Sequence, residues 1–493
     1  MSTYFSVTHR HIRLLFLFLM TGFIFLYAGN SNGRTGLAKT NSVQWDITRK
    51  APYLIYNGNS SEMEVHWQLT TTQTCTIEWG TSTNYSDGSS TTSEYGSSHQ
   101  HKYTIENLSA GTKYYYKVTA GDDIHTGSFY SAPDPSATRL KFFAYGDTRS
   151  YPEDHDKVAE GMLNEIANDP EFQTFILSVG DLVSDGDREY YWDDEFFNES
   201  YTNIINMLAQ FPYLSSRGNH EGYGTLFKKY FPYPYVDSHY WSFDYGPAHF
   251  VVVDQYIDYS TGSTQYNWID NDLASSTKLW KFIYLHEPGW SAGGHSNEEA
   301  VQDYIQPLCE KYKVPIVFGG HNHYYARAVV NGVTHITTGG GGAPLYTPDP
   351  SYPNIVATAE AYHYCKIELD DNMLYFSAYD DGGTRIDTFS NEINVSSLKQ
   401  ENHIQPAEYT LKQNYPNPFN PETTIEFSAP KNEYVTLKIF NTVGEEITTL
   451  VASQLTPGHY RYSWNGAGYA SGVYYYRLKA GNFSQIKKMI LLR

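Results

Sequence analysis

Oxygen- and nitrogen-bearing side chains recur at widely spaced points of this 493-residue chain: Asp147 in GDTR, Asp181 in GDLVSDG, Asn219 in GNHE, His286 in LHEP, and His321 with His323 in GHNH. Carboxylate, amide oxygen and imidazole together suit iron, zinc or manganese, and the absence of cysteine from the set argues against soft-metal or iron–sulfur chemistry. Donors this numerous invite two ions. Two metals about 3.5 to 4 Å apart, sharing a carboxylate, can hold a phosphate, lower the pKa of bound water and stabilise an in-line displacement. The chemistry implied is hydrolysis of a phosphate ester. Any one of these residues alone would be read as a turn former or a satisfied histidine; five such sites in one segment reverse that reading.

The elements that must position them are strands. From Leu140 the chain alternates apolar runs with longer helical or irregular stretches, the rhythm of a sheet with crossover connections. Strands are expected at Leu140–Tyr145, Thr174–Val179, Tyr213–Ser216, His249–Val253, Trp280–Leu285 and Pro315–Phe318, and five of the six run into one of the motifs. In open α/β sheets ligands bind beyond the carboxyl ends of strands, so groups distant in sequence would share one crevice. Pro152 at a first helical position opens a helix to about Ala167, with Val158, Met162, Leu163 and Ile166 as its inner stripe. A second helix is expected over Asn297–Lys311, kinked or broken at Pro307.

The ordered set GD, GD, GNHE, a lone His and GH-x-H resembles the calcineurin-like metallophosphoesterases, and GHNHYYAR, with Tyr325 and Arg327, is similar to the form found in their purple acid phosphatase branch. The resemblance covers residues 45–390 and implies a four-layer β-sandwich flanked by helices, of α/β (α+β) class. By the resemblance Asp181 bridges two metal ions of Fe, Zn or Mn type. Asp147 and His323 serve one ion; Asn219, His286 and His321 serve the other. A metal-bound hydroxide is the implied nucleophile, and His220 faces substrate, where an imidazole can stabilise the phosphoryl group or protonate the leaving oxygen. Two positions depart from the family. Ser184 stands where the purple enzymes carry a tyrosine whose phenolate gives colour, so a colourless protein is expected. Arg149 stands where the wider family uses a histidine in D-x-H, leaving one metal a ligand short. Water or His155 could fill that gap, His155 otherwise being a histidine on the helix surface. Arg149 is either a contact for substrate phosphate, which its planar fork suits, or part of a structural ion pair.

Other residues were weighed for the same cleft. Thr337–Pro344, TTGGGGAP, lacks the Gly-Lys-Ser/Thr of a P-loop and reads as a flexible loop at the rim. Trp290, Tyr346 and Tyr352 are candidate rim aromatics, and Glu221 and Asp185 candidate orienters of the ligands.

Short alternating strands between Pro52 and Ala132 predict an all-β sandwich, similar to fibronectin type III domains, over 45–133. Its Trp67, Trp79 and Tyr114–Tyr116 read as core. After a polar linker over 391–408, residues 409–493 predict a third β-sandwich, and YPNPFNP, SGVYYYRL and the terminal KKMILLR closely resemble the type A sorting domain of the type IX secretion system. That resemblance implies the type IX machinery as a partner, a periplasmic intermediate, and release or attachment at the cell surface. At the other end Arg10, His11 and Arg13 precede an apolar run, Leu14 to Ala28, that reads as a signal peptide over 1–28, with a single membrane anchor as the alternative. The scarce and scattered Cys75, Cys309 and Cys365 indicate neither a disulfide framework nor a zinc ribbon. With 34 Lys and Arg against 54 Asp and Glu, the net charge of −20 rules out nucleic-acid binding through a general basic surface. It does not oppose a phosphate substrate, because bound ions invert the local charge. The alternative function is a catalytically inactive surface-binding or adhesion protein on the same scaffold, suggested by the ligand-short first site.

Overall fold

A computed structural model describes residues 47–393, 408–455 and 458–492. The export segment expected over 1–28 and most of the expected linker lie outside them. Among the described residues no helix is long and apolar enough to cross a membrane.

The chain first forms a β-sandwich. Thr48–Ile55, Met63–Leu69 and Gln100–Ile105 make one antiparallel sheet; Gly88–Thr92, Cys75–Gly80, Lys113–Ala120 and Asp123–Tyr130 make the other. Strict alternation along Lys113–Ala120 buries Tyr114, Tyr116, Val118 and Ala120, which join Trp67 and Ile77 in the core. This unit is fastened to the next by Lys50. Its side chain is fully buried, pairs with Asp193 and with Glu189 at 3.2 Å, and lies 4.6 Å from the ring centre of Tyr230; a buried ammonium requires such partners.

All six expected strands of the central unit form, within two residues of the expected ends, but they divide three and three between two sheets. Tyr213–Ser215, Ile176–Ser178 and Arg139–Tyr145 are parallel and continue through His363–Asp370, Met373–Asp380 and Arg385–Glu392, all antiparallel. The second sheet runs Trp241–Tyr245, Ala248–Val252, Trp280–Tyr284, Ile316–Gly319, Val333–Thr338, Tyr325–Val330 and Ile355–Ala359. Phe142 of the first sheet packs edge-on against Phe250 and Phe282 of the second, with ring centres 5.4 and 5.7 Å away, so the two sheets share one aromatic core. Helix Pro152–Asn168 covers the first sheet, where Gly161 permits close approach: a Cβ there would lie 2.7 Å from the Tyr364 ring. Helix Thr264–Ser275 and the helical stretch Val301–Tyr312 cover the second through a separate apolar layer. The result is the four-layer arrangement, helix on sheet on sheet on helix.

Two local expectations need correction. Of the kink or break expected at Pro307, the break does not form: the helix is distorted there without ending. Val301–Ile305 widens into a π-helix that runs into the α-helix Gln306–Tyr312, a local widening that relieves the clash of a proline ring with the preceding turn. Thr337–Pro344 is not a flexible rim loop. Gly339 to Gly342 are buried, Gly341 N–H donates to Gly146 O and Ala343 N–H to Asp147 O, both at 2.8 Å. A Cβ on Gly339 would lie 2.9 Å from Asp147 Oδ2 and closer still to Asn322 O. Glycine is required because backbone packs directly on backbone.

The C-terminal unit is a second sandwich, with Glu422–Ala429 between Thr410–Leu411 and Gly458–Asn465 in one sheet, and Glu446–Leu455, Glu433–Phe440, Gly472–Ala480 and Phe483–Leu491 in the other. Its opening and closing motifs meet. Asn417 Oδ1 accepts Ile490 N–H, Phe419 N–H donates to Ile490 O, and buried Phe419 packs on Trp464. The three cysteines are free and buried.

Candidate metal centre

Each motif begins where a central strand ends, and backbone hydrogen bonds stitch the motifs to one another. Asp147 N–H donates to Gly180 O at 2.9 Å, Thr148 Oγ1 to Leu182 O at 3.1 Å, and Gly320 N–H to His286 O at 2.7 Å. Asp147, Asp181 and His321 have φ of 56°, 54° and 65°, left-handed backbone that costs a residue with a Cβ about 1 kcal/mol or more. Strain at three donor positions in one cleft marks them as held by their surroundings.

The structure brings five of the sequence-identified residues into two groups that share one member. Asp181, His286 and His321 form one; Asp147, Asp181 and His323 form the other, with donor atoms within 4.8 Å of one another in each. Asn219 joins the first group, its Oδ1 3.0 Å from His286 Nε2, which also lies 3.2 Å from His321 Nδ1. His286 Nδ1 is 2.8 Å from Val179 O, and His323 Nδ1 is 2.8 Å from Pro344 O. Donation to those carbonyls places the proton on Nδ1 and leaves Nε2 facing the cleft, the outer-shell arrangement that orients imidazole ligands. Asp181 is 1% exposed, yet its Oδ2 has no hydrogen-bond partner. A buried carboxylate oxygen in that condition fits a cation, as does a donor set of oxygen and imidazole nitrogen.

The electrostatics agree with that fit. Burial, reinforced by the charge of His286, lowers His321 to about 3; burial, reinforced by Arg149, lowers His323 to about 4. Both are therefore neutral donors at ordinary pH. Burial raises Asp147 to about 8, against the pull of His286. Burial also opposes ionisation of Asp181, but His286 and His220 outweigh it and hold that carboxyl well below its usual range. His286 is raised to about 10 because Asp181 and Asp147 outweigh its desolvation. An ion bound between Asp181 and His286 would displace that proton, as ligand binding to a metal ordinarily does.

The remaining expectations resolve one by one. His220 is partly exposed, with Nδ1 2.7 Å from Ser184 O and Nε2 3.9 Å from Asp181 Oδ2. His155 is neither on the helix surface nor in either donor group. It is fully buried, 2.8 Å from the Tyr145 hydroxyl and against Phe196, because it lies three residues before Val158 on the inner stripe. Arg149 lies inside the centre, its Nε 3.4 Å from Asp181 Oδ2. Glu221 orients backbone rather than ligand side chains: fully buried, it accepts the amides of Asp181, Leu182 and Gly218 at 2.9, 2.7 and 2.7 Å. Asp185 orients no ligand and pairs with Arg188 at 3.0 Å. Tyr325 and Arg327 both bond Asp387. Trp290 packs on His335, whereas Tyr346 stacks on His323 with ring centres 4.3 Å apart. His295, with its ring centre 4.0 Å from that of His321, is missing from the sequence expectations; it follows Gly293 and Gly294 in an irregular loop, with no strand ending before it to announce it.

Known proteins resemble this chain in all three units. Residues 123–325 match the calcineurin-like phosphoesterase family model, flanked by matches to the purple acid phosphatase N-terminal domain over 50–132 and to the secretion system C-terminal sorting domain over 413–492. The central unit is thus similar to calcineurin-like phosphoesterase domains. Among proteins similar to this chain, purple acid phosphatase 22 of Arabidopsis thaliana is 29% identical over 276 residues, half of this chain and 60% of that protein. Purple acid phosphatase 21 of the same plant is 25% identical over 347 residues, 64% of this chain and 76% of its own length. The chain thus spans less than two thirds of the first of these. Purple acid phosphatase PPD1 from yellow lupin seeds shares the fold, with a TM-score of 0.60 at 19% identity over 70% of this chain and 74% of that one.

Proposed function

We propose that this chain is an exported, metal-dependent phosphoesterase that hydrolyses phosphate esters at a two-ion centre of Fe, Zn or Mn type, bridged by Asp181. The observation that carries the reading is the pair of donor groups sharing Asp181, whose buried Oδ2 accepts no hydrogen bond. Asp147 and His323 hold one ion; Asn219, His286 and His321 hold the other. Bound there, such ions supply Lewis acidity, a lowered pKa for coordinated water and compensation of phosphate charge. The chain's own residues supply orientation. Val179 O and Pro344 O fix the rings of His286 and His323, and Glu221 fixes the loops of Asp181 and Asn219. His220 is held by Ser184 O through Nδ1, so its Nε2 is the group able to deliver a proton to a leaving oxygen.

In this reading 1–28 is a signal peptide, 45–133 a fibronectin-like support, 138–390 the phosphoesterase domain, 391–408 a linker, and 409–493 the address read by the type IX secretion machinery. Passage through a periplasmic intermediate ends in release or attachment at the surface. The test uses purified chain loaded with Fe, Zn or Mn and offered an aryl phosphate and an aryl phosphodiester. Turnover should appear with at least one metal, His220→Ala should lower it at unchanged metal content, and Asp181→Ala should lose both ions. No turnover with any metal, with Asn219→Ala indistinguishable from the parent, would instead favour the inactive binding protein.

A further inference from the structure

The two donor groups are unequal, and the difference is made by residues of this chain. The Asp181–His286–His321 group gains Asn219 Oδ1 as a fourth donor. The Asp147–Asp181–His323 group gains an arginine. Arg149 Nε stands 3.4 Å from Asp181 Oδ2 and Nη2 stands 3.3 Å from His323 Nε2, so the guanidinium lies against the inward atoms of two of its three members.

It is anchored there. Nη1 donates to Ser150 Oγ at 3.1 Å, Ser150 Oγ is 3.0 Å from Ser184 Oγ, and the amides of Ser150 and Ser184 both donate to Glu195 Oε2, at 3.1 and 2.7 Å. Glu195 is itself buried. Ser184 Oγ faces Ser150 in this network, and the arginine is braced toward the cluster. A guanidinium carries a permanent charge in a planar fork suited to a carboxylate. Beside the Asp181 carboxylate and the His323 imidazole it supplies the positive charge a metal would bring, and a second cation entering beside it meets repulsion.

Resting on the two-ion reading above, we infer that Arg149 is the resident cation of the Asp147–Asp181–His323 group, so that the two ion sites fill in order. The Asn219-containing site takes its ion tightly and first. The other takes an ion weakly, and only with Arg149 displaced from Asp181 and His323.

The test is metal binding, independent of turnover. Chelator-stripped full-length chain is titrated with Zn²⁺ and separately with Mn²⁺ by equilibrium dialysis and elemental analysis. One tight ion per chain is expected, with a second on the order of 100-fold weaker, and Arg149→Met should narrow that gap by roughly 10- to 100-fold, the range typical of residues supporting a metal ligand. Arg149→Lys, which keeps the charge, should leave most of the gap in place. Should Arg149→Met fail to fold, Ser150→Ala removes only the Nη1 anchor and should narrow the gap in the same direction. Two ions of equal affinity in the parent would overturn the inference and leave the phosphoesterase reading standing, as would a gap unchanged in both variants. Failure of the parent to bind either metal would overturn both.

Discussion

Glu221 offers the sharpest test of how the centre is assembled, because it touches no ligand side chain yet joins the two loops that carry Asp181 and Asn219. Its Oε2 accepts the amides of Asp181 and Gly218 and its Oε1 that of Leu182, and the side chain is fully buried. Glu221→Ala leaves three buried N–H groups without an acceptor. Each such group costs about 1 to 3 kcal/mol, and a water entering the space left by the carboxyl can rescue one or two. The expected loss is therefore about 3 to 5 kcal/mol, a large part of the 5 to 15 kcal/mol typical of a domain. Glu221→Gln keeps one acceptor and turns an NH₂ toward the remaining amide, so it should cost about 2 to 3 kcal/mol, between parent and alanine. Urea unfolding followed through the reactivity of Cys365, buried in the central sheet, reads this domain separately from the two sandwiches. Metal affinity measured on the folded fraction should fall in the same order. An alanine variant within about 1 kcal/mol of the parent, or a glutamine variant weaker than alanine, would refute the assignment of Glu221 as the clasp.

The glycine run supplies a second prediction: Gly339→Ala should lower both the melting temperature and the metal content, because its Cβ meets Asn322 O and Asp147 Oδ2, whereas Gly468→Ala, with open space around it, should change neither. His155 supplies a third. Burial lowers its folded pKa to about 3, so the folded state keeps it neutral while the unfolded chain protonates it near 6.5. Its stability is complete above 6.5 and is lost progressively as pH falls from there toward 3. Between pH 7 and pH 5 that amounts to about 2 kcal/mol. Chemical denaturation at both pH values should show this difference shrinking in His155→Gln, and an unchanged slope would refute the burial argument.

What the sequence revealed and what it hid have separate physical origins. Ile316–Gly319 is apolar throughout and Trp280–Tyr284 is apolar but for Lys281, since both faces are covered, and each ends at a polar motif; that contrast is local and therefore readable. The split into two sheets is not local. Arg139–Tyr145 pairs antiparallel with His363–Asp370, more than two hundred residues away, and no periodicity within either strand encodes the choice of partner. The glycine run was misread because flexibility and close packing demand the same residue, and only the neighbour, here the backbone around Asp147, tells them apart. For His155 the signal was present: its spacing from Val158 and Met162 puts it on the inner stripe, but its chemical type suggested a ligand or a surface group.

The left-handed backbone at Asp147, Asp181 and His321 bears on how such a domain would decay. Glycine at these positions would relieve the steric cost of the left-handed main chain, but at Asp147 and Asp181 it would leave the amides of His321 and His220 without their carboxylate acceptors. The side chains that bring strain to the cleft thus also tie its loops together, so the centre and the local fold are lost together when either carboxylate is removed.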